Sequence, residues 1–96
     1  MLLAKIRGTL VSTQKEESLQ GLKFLVCEQL DIMGSPLGKY LICADAVGAG
    51  EGEVVLYASG SCGRYTAVTK NRPCDAVIMA IVDTLEVDGR TAYQKV

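Results

Sequence analysis

The residues that could carry chemistry in this 96-residue chain are few, and their spacing matches no common reactive site. The four cysteines stand at positions 27, 43, 62 and 74, so no two have the spacing of a zinc knuckle or a redox dithiol. The chain has no histidine, which removes the commonest general base, the usual metal ligand and every Ser-His or Cys-His nucleophile pair. Most common routes to catalysis are therefore closed, and we predict no enzyme, no metal and no cofactor.

The cysteines fall into two environments. Cys27 and Cys43 lie in strand-like stretches, where a free cysteine behaves as a small buried hydrophobe. Nothing indicates secretion, so we expect reduced thiols. Cys62 instead lies near Arg64 in the loop 60–64, where a cation can lower a thiol pKa. No second ligand or base accompanies it, and a structural role for Cys62 is favoured.

A glycine-rich segment, residues 48–52 (GAGEG), raises the question of nucleotide binding. A dinucleotide fingerprint needs the pattern G-x-G-x-x-G at the start of a helix. Here the spacing is G-x-G-x-G, and the residues that follow are strand formers. The glycines are better explained as positions that permit positive φ in a tight connection.

Composition excludes several classes of partner. The net charge is -1 and the pI is about 5.3, which argues against a partner held by phosphate neutralisation. The longest strongly apolar run covers residues 76–82, far below the roughly 20 residues of a membrane helix. The N-terminus has basic residues but no long apolar core, so we expect no signal peptide. Counted with the glycines and without the tyrosines, apolar residues make up 53 of the 96 residues, or 55%, against an ordinary share of about 45–50%. This surplus indicates subunit contacts.

The elements that position these residues are short strands separated by glycine-rich turns. Alternation of apolar and polar residues predicts strands at 2–10, 22–30, 39–47, 53–57 and 76–85, with a helical turn near 65–68. The fifth strand is apolar on both faces, which predicts burial on both sides. Five strands with a long connection before the last predict a mainly β fold, a small five-stranded OB-like Greek-key barrel. An open barrel of this kind has edges that oligomerisation would cover. We assign residues 1–86 to the barrel domain and 87–96 to a C-terminal turn and tail, in which residues 90–96 are a short tail or a final strand.

Four segments in order resemble the EutN/CcmL family. They are residues 8–25 (GTLVSTQKEESLQGLKFL), 45–55 (DAVGAGEGEVV), 60–64 (GSCGR) and 75–83 (DAVIMAIVD). The resemblance covers about residues 1 to 86 in the right order and spacing. It implies an OB-like barrel that assembles as a cyclic homopentamer, occupying the vertices of bacterial microcompartment shells such as carboxysomes and metabolosomes. It further implies a location in the shell in the bacterial cytoplasm, flanked by hexameric shell proteins, with no nucleic acid and no membrane.

The resemblance also indicates where the functional residues lie. The loop 60–64 is expected near the five-fold axis, where a small pore is expected, so its residues are the predicted pore residues: Gly60, Ser61, Cys62, Gly63 and Arg64. The family usually has Ser-Ala where this chain has Cys62-Gly63, which makes the loop more flexible and adds a thiol. Arg64 either lines the axis, pairs with a carboxylate of the next subunit, or is simply solvated.

A second set of residues is expected at the subunit interface: Asp45, Gly48, Gly50 and Asp83. For the two aspartates, capping of turns is the alternative role and is slightly favoured.

Three classes of function are weighed against one another. The shell vertex accounts for the motifs, the neutral charge and the missing catalytic residues. An OB-type module for single-stranded nucleic acid or a small ligand is the alternative, but it needs clustered aromatics on a basic face. The chain has only five scattered aromatic residues. The third class, an enzyme or redox module built on Cys62, Arg64 and the glycine loops, requires a reactive thiol. Which pathway the compartment encloses is not encoded here.

Overall fold

Seven strands form in the part of the chain that the computed structural model describes, residues 1–60 and 76–95. The strands are β1 (Leu2–Leu10), β2 (Phe24–Leu30), β3 (Pro36–Asp45), β4 (Val54–Ser59), β5 (Ala76–Ile81), β6 (Thr84–Val87) and β7 (Arg90–Gln94). A 3-10 turn, Glu17–Leu19, lies between β1 and β2. The helical turn predicted near 65–68, together with Cys62 and Cys74, lies outside the described residues.

Five of these strands form a closed barrel in the order β1-β2-β3-β5-β4. Neighbouring strands are antiparallel except β3 and β5, which are parallel where Ala44 and Asp45 pair with Val77 and Ile78. In this order β5 lies between β3 and β4, so that β3 pairs with β5 and not with the next strand in sequence. This is the Greek-key order of an OB-type barrel. The predicted mainly β, five-stranded fold is confirmed.

The expectation that this barrel is open with uncovered edges is wrong. Residues 2–5 of β1 pair in antiparallel register with residues 54–57 of β4, which closes the sheet on itself. A closed barrel has no edge strand that needs covering. Any drive toward assembly must therefore come from the outer faces of the strands.

Strand bounds differ from the prediction at β3, where glycine and proline suggested a longer turn. The turn between β2 and β3 is short because the Asp31 carboxylate accepts hydrogen bonds from the N–H groups of Met33 and Ser35, both at 2.9 Å. Pro36 then opens β3, a position that proline tolerates because the first residue of a strand can do without a ladder N–H. Gly38, at φ 72°, lies where the β2–β3 register shifts.

The predicted fifth strand, 76–85, is two strands in the structure. β5 ends at Ile81 and β6 begins at Thr84, which pairs with β7 as a hairpin on the outside of the barrel. Asp88 and Gly89 form the hairpin turn, both with positive φ. Residue 86, the end of the barrel domain in the sequence analysis, lies inside β6.

The barrel interior is filled by small, branched and aromatic side chains. Its fully buried members are Ala4, Ile6, Leu25, Cys27, Cys43, Val55, Tyr57 and Ile78. Cys27 and Cys43 take part in no disulfide and have no exposed surface, so their predicted role as small buried hydrophobes is confirmed. Burial raises the pKa of the Tyr57 hydroxyl.

Apolar side chains also pack on the outside of the barrel. Val77 of β5 packs with Leu22, Ala44 and Ala58 in a second cluster. Burial of β5 on both faces, as its sequence predicts, is confirmed for its first three residues, Ala76, Val77 and Ile78. A third cluster joins Leu3, Leu30 and Val54 to side chains of the β6–β7 hairpin.

Candidate assembly site

The glycine loop that follows β3 is organised by one carboxylate. Asp45 Oδ1 accepts hydrogen bonds from the N–H groups of Val47 and Gly48 at 3.0 Å and of Ala49 at 3.3 Å. The Asp45 side chain is 2% exposed, and Lys23 Nζ lies 3.7 Å from Oδ2. Asp45 therefore caps this turn within its own subunit, the role that the sequence analysis slightly favoured.

The other half of the glycine loop is tied to β1 and to the C-terminal hairpin. Gly52 N–H donates to the Ile6 carbonyl at 2.8 Å, and Glu53 Oε1 accepts from Gly50 N–H at 2.6 Å. Glu53 Oε2 also pairs with Lys95 Nζ at 2.7 Å. Gly48 and Gly50 themselves are exposed, and Gly48 has φ 78°. The loop is thus held rigidly and presents its backbone to solvent.

Lys95 joins two of the predicted interface residues. Its backbone N–H donates to the carbonyl of Asp83 at 2.8 Å, while its side chain reaches the Glu53 carboxylate that holds Gly50. The Lys95 hydrogen bond is the main cause that lowers the pKa of Glu53, and Glu53 in turn raises the pKa of Lys95. The structure therefore brings Gly50 and Asp83 to one side of the barrel, with both exposed.

The predicted pore loop is described only at its first residue. Gly60 follows β4 directly, is exposed and has φ 65°, a left-handed conformation that glycine adopts without strain. Ser61, Cys62, Gly63 and Arg64 lie outside the described residues. The predictions for these four residues stay predictions.

The described residues contain little that could do chemistry. Within residues 1–60 and 76–95, no group of three or more His, Cys, Asp or Glu side chains comes close enough to hold a metal ion. No helix in the same residues is long and apolar enough to cross a membrane.

One large surface of the barrel is apolar where a solvated sheet is normally polar. On the outward side of β1, β2 and β3 lie five apolar side chains, which we call the outer sheet face: Leu10, Phe24, Val26, Tyr40 and Ile42. Their outward direction follows from alternation, since Leu25, Cys27 and Cys43 point into the barrel. Tyr40, Leu10 and Ile42 are 61%, 45% and 43% exposed. Antiparallel sheets commonly turn a polar face to water, so this face is built for contact.

A second apolar surface is concave. A cavity of about 380 Å³ opens between the starts of β1 and β3 and the β6–β7 hairpin. We call it the hairpin groove, and its principal apolar lining is Leu2, Leu30, Ile32, Leu37, Leu56 and Leu85. Ile32 is 66% exposed and Leu2 is 55% exposed.

Sequence reasoning missed both apolar surfaces and the Glu53–Lys95 pair. The surplus of apolar residues indicated subunit contacts, but it did not say where they lie. The signal in the sequence was that both faces of β2 carry apolar residues. Phe24 and Val26 lie on one face, and Leu25 and Cys27 lie on the other. Nothing in the sequence points to Lys95, because its partner is 42 positions away and meets it only through the hairpin.

The described residues form a small closed barrel with two large apolar outer surfaces, as is typical of a domain that contacts other copies through its surface. The family model described as "Ethanolamine utilisation protein EutN/carboxysome" matches residues 1–83, and the chain belongs to this EutN/CcmL family. The recognition made from the four sequence segments is confirmed.

Relatives and solved structures agree with this assignment along the whole chain. The carboxysome shell vertex protein CcmL of Synechococcus elongatus is 50% identical over 95 residues, covering 99% of this chain and 96% of that protein. The solved structure of Gloeobacter violaceus CcmL superposes with a TM-score of 0.94 at 47% identity, covering 99% of this chain and 98% of the other. The GrpN pentameric microcompartment shell protein from Rhodospirillum rubrum has a TM-score of 0.78 at 42% identity, covering 91% and 98%.

Proposed function

We propose that this chain is a structural protein that forms the pentameric vertex of a bacterial microcompartment shell. The observation that carries the proposal is the match to shell vertex proteins over 99% of this chain and 96% of the relative, with a superposable barrel. Five-fold units supply the curvature that closes a shell of flat hexameric sheets.

In this proposal the homopentamer sits in the shell, in the bacterial cytoplasm, and its neighbours are hexameric shell proteins. The outer rim of the ring contacts those hexamers, and neither a nucleic acid nor a membrane is among its proposed partners. The net charge of -1 supports the exclusion of nucleic acid, since a phosphate backbone is bound mainly through released counterions.

The loop 60–64 is proposed to surround the five-fold axis and to leave a small pore there. Gly60 supports this placement because it is exposed and leaves β4 in a left-handed turn. Gly48, Gly50 and Asp83 are proposed to meet the next subunit, since all three are exposed and belong to segments fixed by Asp45, Glu53 and Lys95. The backbone of the loop would make that contact, while Asp45 supports it from behind.

Native mass is the first test of the ring. Light scattering at several concentrations is expected to give one species near 51 kDa, five times the chain mass of 10.2 kDa. A stable species near 10 kDa would contradict the proposal. Fluorescence anisotropy with single-stranded DNA and RNA tests the OB-type alternative, and no binding is expected at physiological salt.

Shell closure tests the vertex role itself. A hexameric shell protein produced alone is expected to form sheets or tubes in electron micrographs, and closed polyhedral particles are expected once this chain is produced with it. Open assemblies in both samples would contradict the role even if the pentamer forms.

The axis loop is tested through its own thiol. If five copies of Cys62 surround the axis, a short bismaleimide is expected to link subunits of the native ring. The Cys62→Ser variant is the matched control, because it keeps the loop and removes only the thiol. Equal linking in both proteins would place Cys62 away from the axis.

A further inference from the structure

We propose that Cys27 and Cys43 form a redox-sensitive cross-link inside the barrel, in which a small peroxide oxidises the two thiols to a disulfide that ties β2 to β3. We call these two residues the cysteine pair. They take part in no disulfide in the structure and pack among apolar side chains. The cross-link goes beyond the vertex role and does not depend on it, because both cysteines lie within one subunit.

The register of β2 and β3 places the cysteine pair. Leu25 pairs with Cys43 and Cys27 pairs with Leu41, so the two cysteines are diagonal neighbours on adjacent antiparallel strands. Alternation puts both on the inward face, and neither has any exposed surface. Strand pairing therefore brings together two thiols that are 16 positions apart in sequence.

The two thiols are hydrogen-bond partners. Cys27 Sγ–H donates to the Leu25 carbonyl at a sulfur–oxygen distance of 3.8 Å. The hydrogen bond with the Cys43 thiol is the main cause that lowers the pKa of Cys27, since a donor beside a sulfur favours its thiolate form. The thiolate is the nucleophile of cysteine chemistry, so we assign the first attack on an oxidant to Cys27.

The spacing of the two strands suits a reversible bond. A disulfide joins Cα atoms that are up to about 6.8 Å apart, while diagonal neighbours of an antiparallel pair are ordinarily about 7–8 Å apart. Bond formation therefore needs β2 and β3 to approach by about 1 Å. The register shift between Glu28 and Leu30, close to Cys27, is an irregularity where β2 can adjust. A strained disulfide is easier to reduce.

The closed interior selects a small oxidant. Ile6, Val55 and Ile78 belong to the same buried cluster as the cysteine pair and have almost no exposed surface. A packed core holds few voids larger than a water molecule, so a glutathione molecule does not fit beside the pair. Hydrogen peroxide is close to water in size and can enter during brief local opening of the barrel.

Oxidation proceeds in two balanced steps. The Cys27 thiolate attacks one oxygen of hydrogen peroxide, the O–O bond breaks, and the leaving hydroxide takes up the Cys27 proton as water, which leaves a sulfenic acid on Cys27. The Cys43 thiol then attacks that sulfur, the S–O bond breaks, and the leaving hydroxide takes up the Cys43 proton as a second water. The two thiols together lose two electrons, and one peroxide is reduced to two waters.

The cross-link would hold β2 and β3 together. It joins the ends of segment 27–43, which contains the turn between the two strands. Closing a loop of about 15 residues lowers the entropy of the unfolded chain and so favours the folded one. The oxidised barrel is therefore expected to resist heat better than the reduced barrel. A vertex built from this chain would gain stability when its surroundings become oxidising.

Peptide mapping tests the cross-link directly. The full chain that carries Cys62→Ser and Cys74→Ser retains only the cysteine pair. It is treated with hydrogen peroxide, unfolded in the presence of iodoacetamide and digested with trypsin. Mass spectrometry is expected to find the tryptic peptide 24–39 linked to the tryptic peptide 40–64, and dithiothreitol is expected to separate them.

Cys27→Ala in the same chain is the matched control, because it leaves the Cys43 thiol and removes its partner. It is expected to give no linked peptide. A pair that stays reduced, or that oxidises to two separate sulfinic acids, would overturn the inference. A linked species that runs as a dimer near 20 kDa on a non-reducing gel, twice the chain mass of 10.2 kDa, would also overturn it, because the bond would then join two copies.

Thermal unfolding measures the effect of the bond on stability without any substitution in the pair. The oxidised sample is compared with the same sample reduced by dithiothreitol, at one protein concentration. The oxidised midpoint is expected to be higher by about 5 °C or more, and light scattering is expected to give the same native mass for both. An equal or lower midpoint after oxidation would overturn the stabilising role.

The wild-type chain serves as a second test if the variant with Cys62→Ser and Cys74→Ser fails to fold by circular dichroism. Further cleavage by chymotrypsin after Tyr57 separates Cys43 from Cys62, so that the partner of Cys27 is assigned without ambiguity. A bond from Cys27 to Cys62 would overturn the inference. A wild-type chain that forms no pentamer but does form the bond would contradict the proposed function alone.

Discussion

The barrel interior and the outer sheet face are built from the same strands and from similar residues, yet they have opposite environments. Cys27 and Cys43 point inward with no exposed surface, while Val26 and Ile42, one residue away on the same strands, point outward. Ile42 remains 43% exposed. The interior side chains stabilise the subunit, and the outer ones are available to a neighbour.

The difference shows that hydrophobicity alone does not assign a residue to the core. In an alternating strand the two faces are equivalent until the sheet closes. Closure through β1 and β4 selects one face as the interior, and the face left outside retains its apolar character. Such an exposed apolar surface is typical of proteins that bury it only when they assemble with another subunit.

Removal of interior volume is expected to have the largest effect on stability. Ile78→Ala leaves a cavity at a residue with no exposed surface, so the free energy of unfolding should fall by about 2–5 kcal/mol. Ile42→Ala makes the same chemical change on the outer face, and its loss within a subunit should stay under about 0.5 kcal/mol. Urea denaturation followed by circular dichroism measures both.

Protein concentration separates these two variants further. The loss in Ile78→Ala should be the same at every concentration, because the cavity lies inside one subunit. The loss in Ile42→Ala should depend on concentration, because it weakens a contact between copies. If both variants lost the same free energy of unfolding at every concentration, Ile42 would be shown to act within one subunit, as Ile78 does. That result would contradict the distinction between the barrel interior and the outer sheet face.

The cap of the glycine loop is expected to contribute the next largest effect. Asp45→Ala leaves the N–H groups of Val47, Gly48 and Ala49 without their acceptor, and the expected loss is about 2–3 kcal/mol. Asp45→Asn retains an oxygen acceptor and should recover most of it. If the two variants are equally unstable, the ion pair with Lys23 matters more than the turn.

The ion pair that borders the outer sheet face is expected to matter less. Arg7→Ala leaves the Glu28 carboxylate, whose side chain is only 7% exposed, without its partner, and the expected loss is about 1–2 kcal/mol. The double variant Arg7→Met/Glu28→Met removes both charges together and should recover that loss, because the desolvation cost disappears with the pair. A double variant less stable than Arg7→Ala, measured by urea unfolding, would contradict this.

The smallest effect is expected at the partly exposed Glu53–Lys95 pair, and it depends on pH. The folded-state pKa of Glu53 is lowered, chiefly by the Lys95 hydrogen bond, so its contribution is present at neutral pH and is lost as pH falls through that pKa. Lys95 has a raised pKa, so the pair is also lost as pH rises through it. NMR titration should find that Lys95→Met raises the Glu53 pKa toward its ordinary value.

Lys39→Met is the matched control for that titration. Lys39 is exposed and lies on β3, so the variant changes net charge equally without touching Glu53. Equal shifts of the Glu53 pKa in both variants would mean that overall charge, and not the contact, sets it. Part of the shift should survive in Lys95→Met, because Gly50 N–H still donates to Glu53.

Much of the fold could be predicted from sequence because local alternation fixes strands. The bounds of β1, residues 2–10, follow from its alternating pattern and agree with the structure. β3 was harder, because Pro36 and Gly38 are turn residues by composition but occupy a strand start and a register shift. The break after Ile81 was also missed, since the apolar run continues to residue 82 and only the hairpin pairing of β6 shows that a new strand begins at Thr84.

The candidate site also has some features that the sequence predicts and others that only the tertiary structure shows. The position of the glycine loop and the capping role of Asp45 follow from short-range chemistry, because the aspartate contacts residues two to four positions ahead. The Glu53–Lys95 pair and the hairpin groove join residues far apart in sequence. Their existence depends on strand pairing that no local pattern encodes.

The sequence by itself determined that this is a small β protein without histidine chemistry, with more apolar residues than its interior can hide, and it carried the four segments of its family. Only the tertiary structure decided which apolar residues stay outside. The barrel closes between β1 and β4, at a sequence separation of about 50 residues, and that closure decides which alternate residues of each of the five barrel strands point inward. The outer sheet face and the hairpin groove are consequences of it.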